Sequence, residues 1–302
     1  MTNEKTVGVV GLGAMGLPMA LHLAGTDGMI VRGFDISPAR RELAAQGGVQ
    51  PVDSAADAGA GADVVILSVR DGAQAESALF GPHGAASALA PGAVIILTST
   101  IGADAARALN ATIEERGLRF VDAPISGGPT RAGNGDLLIV VGGPDDSIEA
   151  VREILDLLSS TLTIVGPRIG DGQLLKVINQ LLAGVHIAAA AEAVALAVAV
   201  GLDPSVVVNT LSTGAASSFM LADRGPRMVE ALGGEPEVCS RVDIFVKDMG
   251  LVAALATQAH VPAPVAAAAG QLYLVAERAG LGVHDDSTIV RMLSHGSREE
   301  QG

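Results

Sequence analysis

The sequence predicts a doubly wound parallel α/β sheet followed by an all-helical domain, the two joined by a long interdomain helix. Three observations carry that expectation. Short apolar runs alternate with helix-like stretches through the first half of the 302 residues. Several of these runs are apolar at consecutive positions, the pattern of strands covered on both faces. Beyond Gly166 no further run reads as a strand, while helix starts and stops are legible.

The runs are Val7–Val10, Met29–Phe34, Val64–Val69, Val94–Leu97, Phe120–Val121, Leu138–Val141 and Thr163–Val165. Strands that alternate with helices imply parallel pairing and helices on both faces. "GPRIGDG" then breaks the pattern, placing one domain at residues 1–166 and a second at 167–302. In the second half, Asp203-Pro204 supplies an N-cap and a first-turn proline, with Gly214 beyond the helix end. Asp243 is expected to cap "IFVKDMGLVAALATQAH". Pro264 opens a helix that stops near Gly280. Asp285 or Asp286 caps "STIVRML", and 296–302 reads as a frayed polar tail.

Composition narrows the class. Nearly half the residues are apolar, but there is no Trp, one Tyr and five Phe, so the core must be built from Ala, Val, Leu and Ile. The formal net charge of −14 disfavours nucleic acid as a partner. Cys239 is the only cysteine, so no internal disulfide forms, which fits a reducing, cytoplasmic setting. No signal peptide is read at the N-terminus. Leu181–Leu202 is long and apolar, yet it contains His186 and Glu192 and is rich in Ala, so a buried helix is expected and not a membrane span.

"VGVVGLGAMGLPMA" contains Gly11, Gly13 and Gly16 as G-x-G-x-x-G. By itself this is weak, since a chain this rich in glycine yields ~0.6 such patterns by chance. The context is stronger. The loop (Gly11, Leu12, Gly13, Ala14, Met15, Gly16) follows a Val-rich strand and opens a helix, and Asp35 ends the next strand. This is the Rossmann dinucleotide fingerprint: the backbone approaches a pyrophosphate at a helix N-terminus, and the acid accepts the adenosine ribose hydroxyls. A carboxylate at Asp35 repels a 2′-phosphate, so NAD is expected over NADP. Arg32 and Arg40 nearby weigh the other way. No metal site is expected.

"QLLKVINQLLAGVH" sets a second problem. Lys176 is the sole formally charged residue between Asp171 and Glu192, with no acid at i±3 or i±4. Gln173, Lys176, Asn179, Gln180 and Ala183 share one helical face for about two turns. Taken alone, the helix fits a small solvent-facing patch equally well. Three features favour a ligand site. The helix begins at the boundary of the two halves, where clefts form. "VDAPISGG" follows a strand, and Ser126, Gly127 and Gly128 can offer a hydroxyl and backbone N–H groups to an anion. "FVKDMG" places Lys247 on a later helix.

With these motifs in hand, the chain resembles the β-hydroxyacid dehydrogenases, the family of 3-hydroxyisobutyrate dehydrogenase and tartronate semialdehyde reductase. "GLGAMGLPMA", "DAPISGG" with "AGNGDLLIVVGG", "GDGQLLKVINQ" and "FVKDMG" match in order over nearly the whole chain. The resemblance implies that Lys176 is the catalytic lysine and that Asn179 binds substrate. It implies that Ser126, Gly127 and Gly128 cradle a substrate carboxylate, that Lys247 lies near the cofactor and that Asp248 sits beside it in the substrate site. "TSTI" matches a turn whose Thr100, or else Ser99, approaches the nicotinamide. Val69-Arg70 departs from a Leu-Pro frequent in the family, so no cofactor contact is assigned there.

The chemistry accords with that transfer. Alcohol oxidation removes a hydride from carbon and a proton from oxygen, and a desolvated lysine can shuttle the proton. "NQLLAGVHIAAAAEA" and "VDIFVKDMG" most resemble the L-threonate dehydrogenase branch, which oxidises four-carbon sugar acids. 3-Hydroxyisobutyrate and tartronate semialdehyde are the alternative substrates, and a non-catalytic dinucleotide-binding module is the alternative class. Intact Lys176 separates the chain from imine reductases, which usually replace it. A small anionic hydroxy acid is thus the expected ligand. The apolar second half suggests a homodimer or homotetramer, and His186 is expected at an interface or in the core.

Overall fold

The computed structural model describes residues 4–294, so the expected frayed tail at 296–302 lies outside the described residues. The chain divides into two compact units that meet between Lys176 and Val177.

The first unit is built on a nine-stranded sheet: β1 (Lys5–Val10), β2 (Met29–Phe34), β3 (Gln50–Pro51), β4 (Val64–Leu67), β5 (Val94–Leu97), β6 (Arg119–Asp122), β7 (Ile125–Ser126), β8 (Leu137–Gly142) and β9 (Ser159–Gly166). The order is β3-β2-β1-β4-β5-β6-β8-β7, with β9 also paired to β8. Strands β1 to β6 are parallel, and the order reverses between β1 and β4. The intervening helices are α1 (Gly16–Ala24), α2 (Pro38–Gln46), α3 (Ala55–Gly59), α4 (Gly72–Phe80), α5 (Ala103–Glu114), α6 (Gly128–Gly133), α7 (Asp145–Ala150) and α8 (Arg152–Leu158). Val64–Leu67 and Val94–Leu97 are buried throughout, as runs of Val, Ile and Leu must be when both faces are covered. Two apolar cores result, one on each face of the sheet.

The far end of the sheet departs from the parallel expectation. β8 runs antiparallel to β6 and β7. The reason is local: residues 123–136 hold only β7 and the short α6, too little to cross over the sheet and return parallel. The run Thr163–Val165 also differs from a covered strand, since β9 pairs with β8 and exposes Ile164 (48 %) and Val165 (39 %).

The second unit is helical. It holds most of α9 (Asp171–Ala199), then α10 (Pro204–Leu211), α11 (Phe219–Ala231), α12 (Val242–Gln258), α13 (Pro264–Ala276) and, after a 3₁₀ turn at Asp286–Val290, α14 (Arg291–Ser294). Helix α9 is long and apolar enough to cross a membrane by length and composition. Its Ala183, Ile187, Ala190, Ala191 and Val194 are core residues of this unit, the role of a buried helix. Tyr273 stacks on Phe245 at 5.2 Å, and its hydroxyl donates to Gly184 O at 2.9 Å. Asp203 caps α10 and Asp285 caps the 3₁₀ turn, as their positions suggest. Asp243 does not cap α12: Arg241 holds that position and Asp243 lies in the first turn. Buried Asp285 and Asp286 take ion pairs from Arg227 and Arg224 of α11, fastening the C-terminal segment.

The start of α9 is fixed from within the first unit. Asp122, at the end of β6, is fully buried. Its Oδ2 accepts Gly170 N at 3.1 Å and Gln173 N at 2.9 Å, and its Oδ1 accepts Gln173 Nε2 at 2.7 Å. A carboxylate satisfies first-turn N–H groups and the positive end of the helix together. The helix comes this close because residue 172 is glycine: a Cβ there would lie 2.8 Å from Val140 O and 2.9 Å from Asp122 O.

Burial pushes the Asp122 carboxyl up to about 6, against the pull of Gln173 and the backbone donors. The folded protein therefore holds this proton more tightly than the unfolded chain. The associated stability is fully present below the unfolded value of 3.8 and is lost as pH rises through about 6. Asp122→Asn cannot titrate. Urea unfolding of both proteins should show the stability of the parent, relative to Asp122→Asn, falling by roughly 2 kcal/mol between about pH 4 and pH 7. A difference that does not change with pH would remove Asp122 from the titrating groups.

Candidate active site

The sequence-identified residues of the first unit cluster at the carboxyl ends of the parallel strands. The glycine loop follows β1, Asp35 follows β2, Thr98–Ile101 follows β5 and Ser126–Gly128 comes soon after β6, with Ser68-Val69 after β4 and Asp122 at the end of β6 on the same edge. In an open α/β sheet this edge, at the reversal of strand order, is where ligands bind. Here the reversal falls between β1 and β4.

The glycine loop fits a dinucleotide. Gly11 has φ +96, and a Cβ on it would lie 2.1 Å from Ser68 O, so the loop is pressed against the end of β4. A Cβ on Gly16 would lie 1.9 Å from Gly11 O, where α1 meets the turn. Gly13 has open space around its would-be Cβ, as a backbone that a pyrophosphate must approach requires. Leu12 is fully buried and anchors the turn.

Asp35 is joined to that loop. Its Oδ2 accepts Leu12 N at 2.8 Å and its Oδ1 accepts Ser37 N at 2.8 Å. Each oxygen keeps a second lone pair, so the carboxylate is oriented without being used up. Arg40 Nε donates to Leu12 O at 2.6 Å. Arg41 donates to Asp35 O and lies over the Phe34 ring. Arg32 is bonded to Ala60 O.

The turn after β5 is held from two sides. Ser99 is buried, and its hydroxyl accepts Val69 N at 2.8 Å. Thr98 Oγ1 donates to Leu67 O at 3.1 Å. The Val69-Arg70 departure thus leaves the loop after β4 tied to the β5 turn. Gln173 completes the turn: its Oε1 accepts Ile101 N at 2.9 Å and Gly102 N at 3.0 Å, and its Nε2 donates to Ser99 O at 3.0 Å. Thr100 lies between these anchored residues and is half-buried.

After β6, Ser126 ends β7, and Gly127 and Gly128 adopt φ +145 and +80. Such positive φ values suit glycine and let the backbone turn sharply into the start of α6. A Cβ on Gly128 would meet nothing within 4 Å, so open space faces it. Lys176, one turn into α9, is 7 % exposed and so does not lie on a solvent-facing patch.

The second unit brings together another set. Asn179 Nδ2 donates to Gln180 Oε1 at 2.8 Å, and Gln180 Nε2 donates to Asp248 Oδ2. Lys247 Nζ lies 3.0 Å from Asp248 Oδ1. Asp248 is buried with both oxygens engaged inside the protein. His186, on α9, is half-buried.

Sequence reading assigned no role to Asp122, Gln173 or Gln180. Asp122 carried a usable signal: an acid at the end of a covered strand of a parallel sheet points into the ligand edge. Gln173 carried a weaker one, a buried amide on the lysine face beside "GDG".

Residues 6–166 match the family model described as the NAD binding domain of 6-phosphogluconate dehydrogenase. Residues 170–293 match the model described as NAD-binding of NADP-dependent 3-hydroxyisobutyrate dehydrogenase. The chain is 38 % identical over 289 residues to an L-threonate dehydrogenase of Cupriavidus necator, covering 96 % of both chains. It superposes on the crystal structure of a 3-hydroxyisobutyrate dehydrogenase from Salmonella typhimurium with a TM-score of 0.89 at 33 % identity, covering 95 % of this chain and 99 % of that one. A Mycobacterium tuberculosis 3-hydroxyisobutyrate dehydrogenase with L-serine gives a TM-score of 0.81 at 29 % identity, covering 96 % of this chain and 99 % of that one. Full-length similarity of this kind, on a Rossmann-type sheet followed by helices, settles the family: the chain belongs to the 3-hydroxyisobutyrate dehydrogenase-like β-hydroxyacid dehydrogenases, NAD-dependent oxidoreductases that act on the CH–OH group of hydroxy acids.

Proposed function

We propose that the favoured substrate is L-threonate or a closely related four-carbon sugar acid, oxidised at its C2 hydroxyl with Lys176 as general acid–base. The observation that carries the catalytic reading is the burial of Lys176 one turn into α9, whose first turn is held at the ligand edge of the sheet, since lysine is rarely buried without a specific partner or role. The substrate is supported by the full-length likeness to L-threonate dehydrogenases. The Salmonella structure named as a 3-hydroxyisobutyrate dehydrogenase supports that acid as the second reading.

The roles follow from the chemistry of the residues. Gly11, Leu12, Gly13, Ala14, Met15 and Gly16 would hold the pyrophosphate, and Asp35 the adenosine ribose. Thr100 is favoured over Ser99 beside the nicotinamide, because the Ser99 hydroxyl is engaged with β4. A bound nicotinamide supplies the hydride acceptor. Ser126 and the N–H groups of Gly127 and Gly128 hold the substrate carboxylate. Asn179 bonds the substrate without adding charge, and Asp248 holds Gln180 and Lys247 in place. Lys176 takes the hydroxyl proton as the C–H hydride departs, so that the carbinol becomes a carbonyl. Residues 1–166 serve as the dinucleotide domain and 167–302 as the substrate and assembly domain. The second unit exposes Ile178, Leu182 and Leu196 along α9 and Val200 just beyond its end, which supports a homodimer or homotetramer. A cytoplasmic location accords with the single cysteine.

Three outcomes test this reading. Initial rates on a panel of hydroxy acids, followed by nicotinamide absorbance, should be highest with L-threonate and should give a higher kcat/KM with NAD than with NADP. Asp35→Ser should narrow that preference, and a parent that favours NADP would overturn the role of Asp35.

Gly128→Val places a β-branched side chain at φ +80, into the space expected to take the carboxylate. Its KM for the acid should rise by about tenfold or more while KM for NAD changes little, the mark of lost binding contacts. Unchanged affinity for the acid would remove the segment from the site.

Lys176→Ala should lower kcat by about 10²- to 10⁴-fold with NAD binding retained, the range for a lost general acid–base. Lys176→Met, which keeps the buried stem, should be equally impaired. Lys176→Arg should not rescue, since a guanidinium stays protonated. The oxidation rate of the parent should rise with pH, and that limb should vanish in Lys176→Met. Near-parental turnover in Lys176→Met would end the assignment.

A further inference from the structure

We propose that Gln173 is a positioning residue for hydride transfer: its amide, gripped by Asp122, keys the first turn of α9, and with it Lys176, to the Ser99–Gly102 loop. The proposal rests on the reading of Lys176 given above.

Gln173 is fully buried, and every hydrogen-bonding position of its amide is filled. Nε2 donates to Asp122 Oδ1 and Ser99 O, and Oε1 accepts from Ile101 N and Gly102 N. That uses both donors and both lone pairs. The partners also fix which way the amide points. A carboxylate oxygen and a carbonyl oxygen can only accept, and two backbone N–H groups can only donate. A flipped amide would set donor against donor at one end and acceptor against acceptor at the other.

Two reacting elements are thereby tied to one side chain. Ser99 and Ile101 flank Thr100, so the backbone on both sides of the residue expected beside the nicotinamide is set by Gln173. Lys176 lies about one helical turn beyond it on the same face. The Gln173 backbone N–H is held by Asp122 as well, so helix and side chain cannot shift independently. Stability alone does not call for this arrangement, since a buried carboxylate is costly and apolar packing would serve. What the network supplies is fixed distance, and hydride transfer is sensitive to it: a 1 Å misplacement can cost about a hundredfold in rate.

The test compares the parent with Gln173→Met, Gln173→Glu and Lys176→Met, using L-threonate and NAD as probes. Gln173→Met should lower kcat by about 10- to 100-fold while KM for the acid stays within about threefold, because the fault lies in placement and not in binding. Without any cofactor, hydrogen exchange at the Ile101 and Gly102 amides should accelerate in this variant. Gln173→Glu gives a sharper readout. A carboxyl can stand in for the amide only when protonated, donating to Asp122 while accepting from Ile101 and Gly102 and leaving Ser99 O without its donor, and two ionised carboxylates cannot share the slot. Its kcat relative to the parent should therefore recover as pH falls from about 9 to about 7, above the range near 6 in which Asp122 of the parent takes up its own proton, and opposite to the rise of the parent rate with pH.

A Gln173→Met kcat within about twofold of the parent, or a Gln173→Glu defect equal at every pH, overturns the proposal. If Gln173→Met does not fold, the pH profile of Gln173→Glu decides. Near-parental activity in Lys176→Met would instead bring down the reading of Lys176, and this proposal with it. An inactive Lys176→Met beside a fully active Gln173→Met would bring down the proposal alone.

Discussion

The Asp122 carboxylate fastens the end of β6 to the first turn of α9. It is fully buried, and it takes donors from Gly170, from the Gln173 backbone and from the Gln173 amide. Several unrelated-looking features of the sequence follow from it. Gly172 must lack a side chain because Asp122 and Val140 crowd it. Gln173 must be an amide because it stands between acceptors and donors. The β5 turn is then held by the other end of that amide. A single desolvated charge thus organises a strand end, a helix start and a loop distant in sequence. It remains tolerable because oriented N–H groups take the place of water around it.

Around the glycine loop the controlling factor is close approach. Gly11 and Gly16 are defined by the backbone oxygens that a Cβ would strike, and Gly13 by the emptiness in front of it. Asp35 then ties the tip of β2 to Leu12 in the loop, so the carboxylate and the glycine turn form one piece. Arg40 and Arg41 bond to backbone carbonyls of Leu12 and Asp35, which makes them braces of this corner. The proximity of Arg32 and Arg40 to Asp35 in sequence, which weighs toward NADP, takes another meaning with Arg32 bonded to Ala60 O and Arg40 to Leu12 O.

The fold was legible where one physical rule dominated. Val64–Leu67 and Val94–Leu97 are apolar at every position because both faces are covered, and their shortness and Val/Ile content separate them from buried helices. Asp203 and Asp285 announced helix starts because short acids cap by a local bond. The reading failed where the determinant was not local. β3 and β7 are two residues long, too short for any periodicity. The reversed β8 follows from the length of the preceding connection and not from its own residues. Asp243 has the residue type of a cap, but Arg241 has the extended backbone of the capping position and Asp243 falls in the first turn. At the site, motif residues were visible because chemistry restricts their type. Asp122 and Gln173 were overlooked because their importance lies in whom they touch, across distances that spacing does not encode.

The second unit carries the sole tyrosine of the chain, and tryptophan is absent. Tyr273 is fully buried there, stacked on Phe245 and bonded to Gly184 of α9. Intrinsic tyrosine emission and near-ultraviolet ellipticity therefore report the helical core and leave the dinucleotide sheet nearly dark. Melting of the two units can be followed separately, by tyrosine signal for one and by loss of nicotinamide binding for the other. With no tryptophan in the chain, little excitation can pass from protein to a reduced nicotinamide, so cofactor fluorescence is read by exciting the nicotinamide itself.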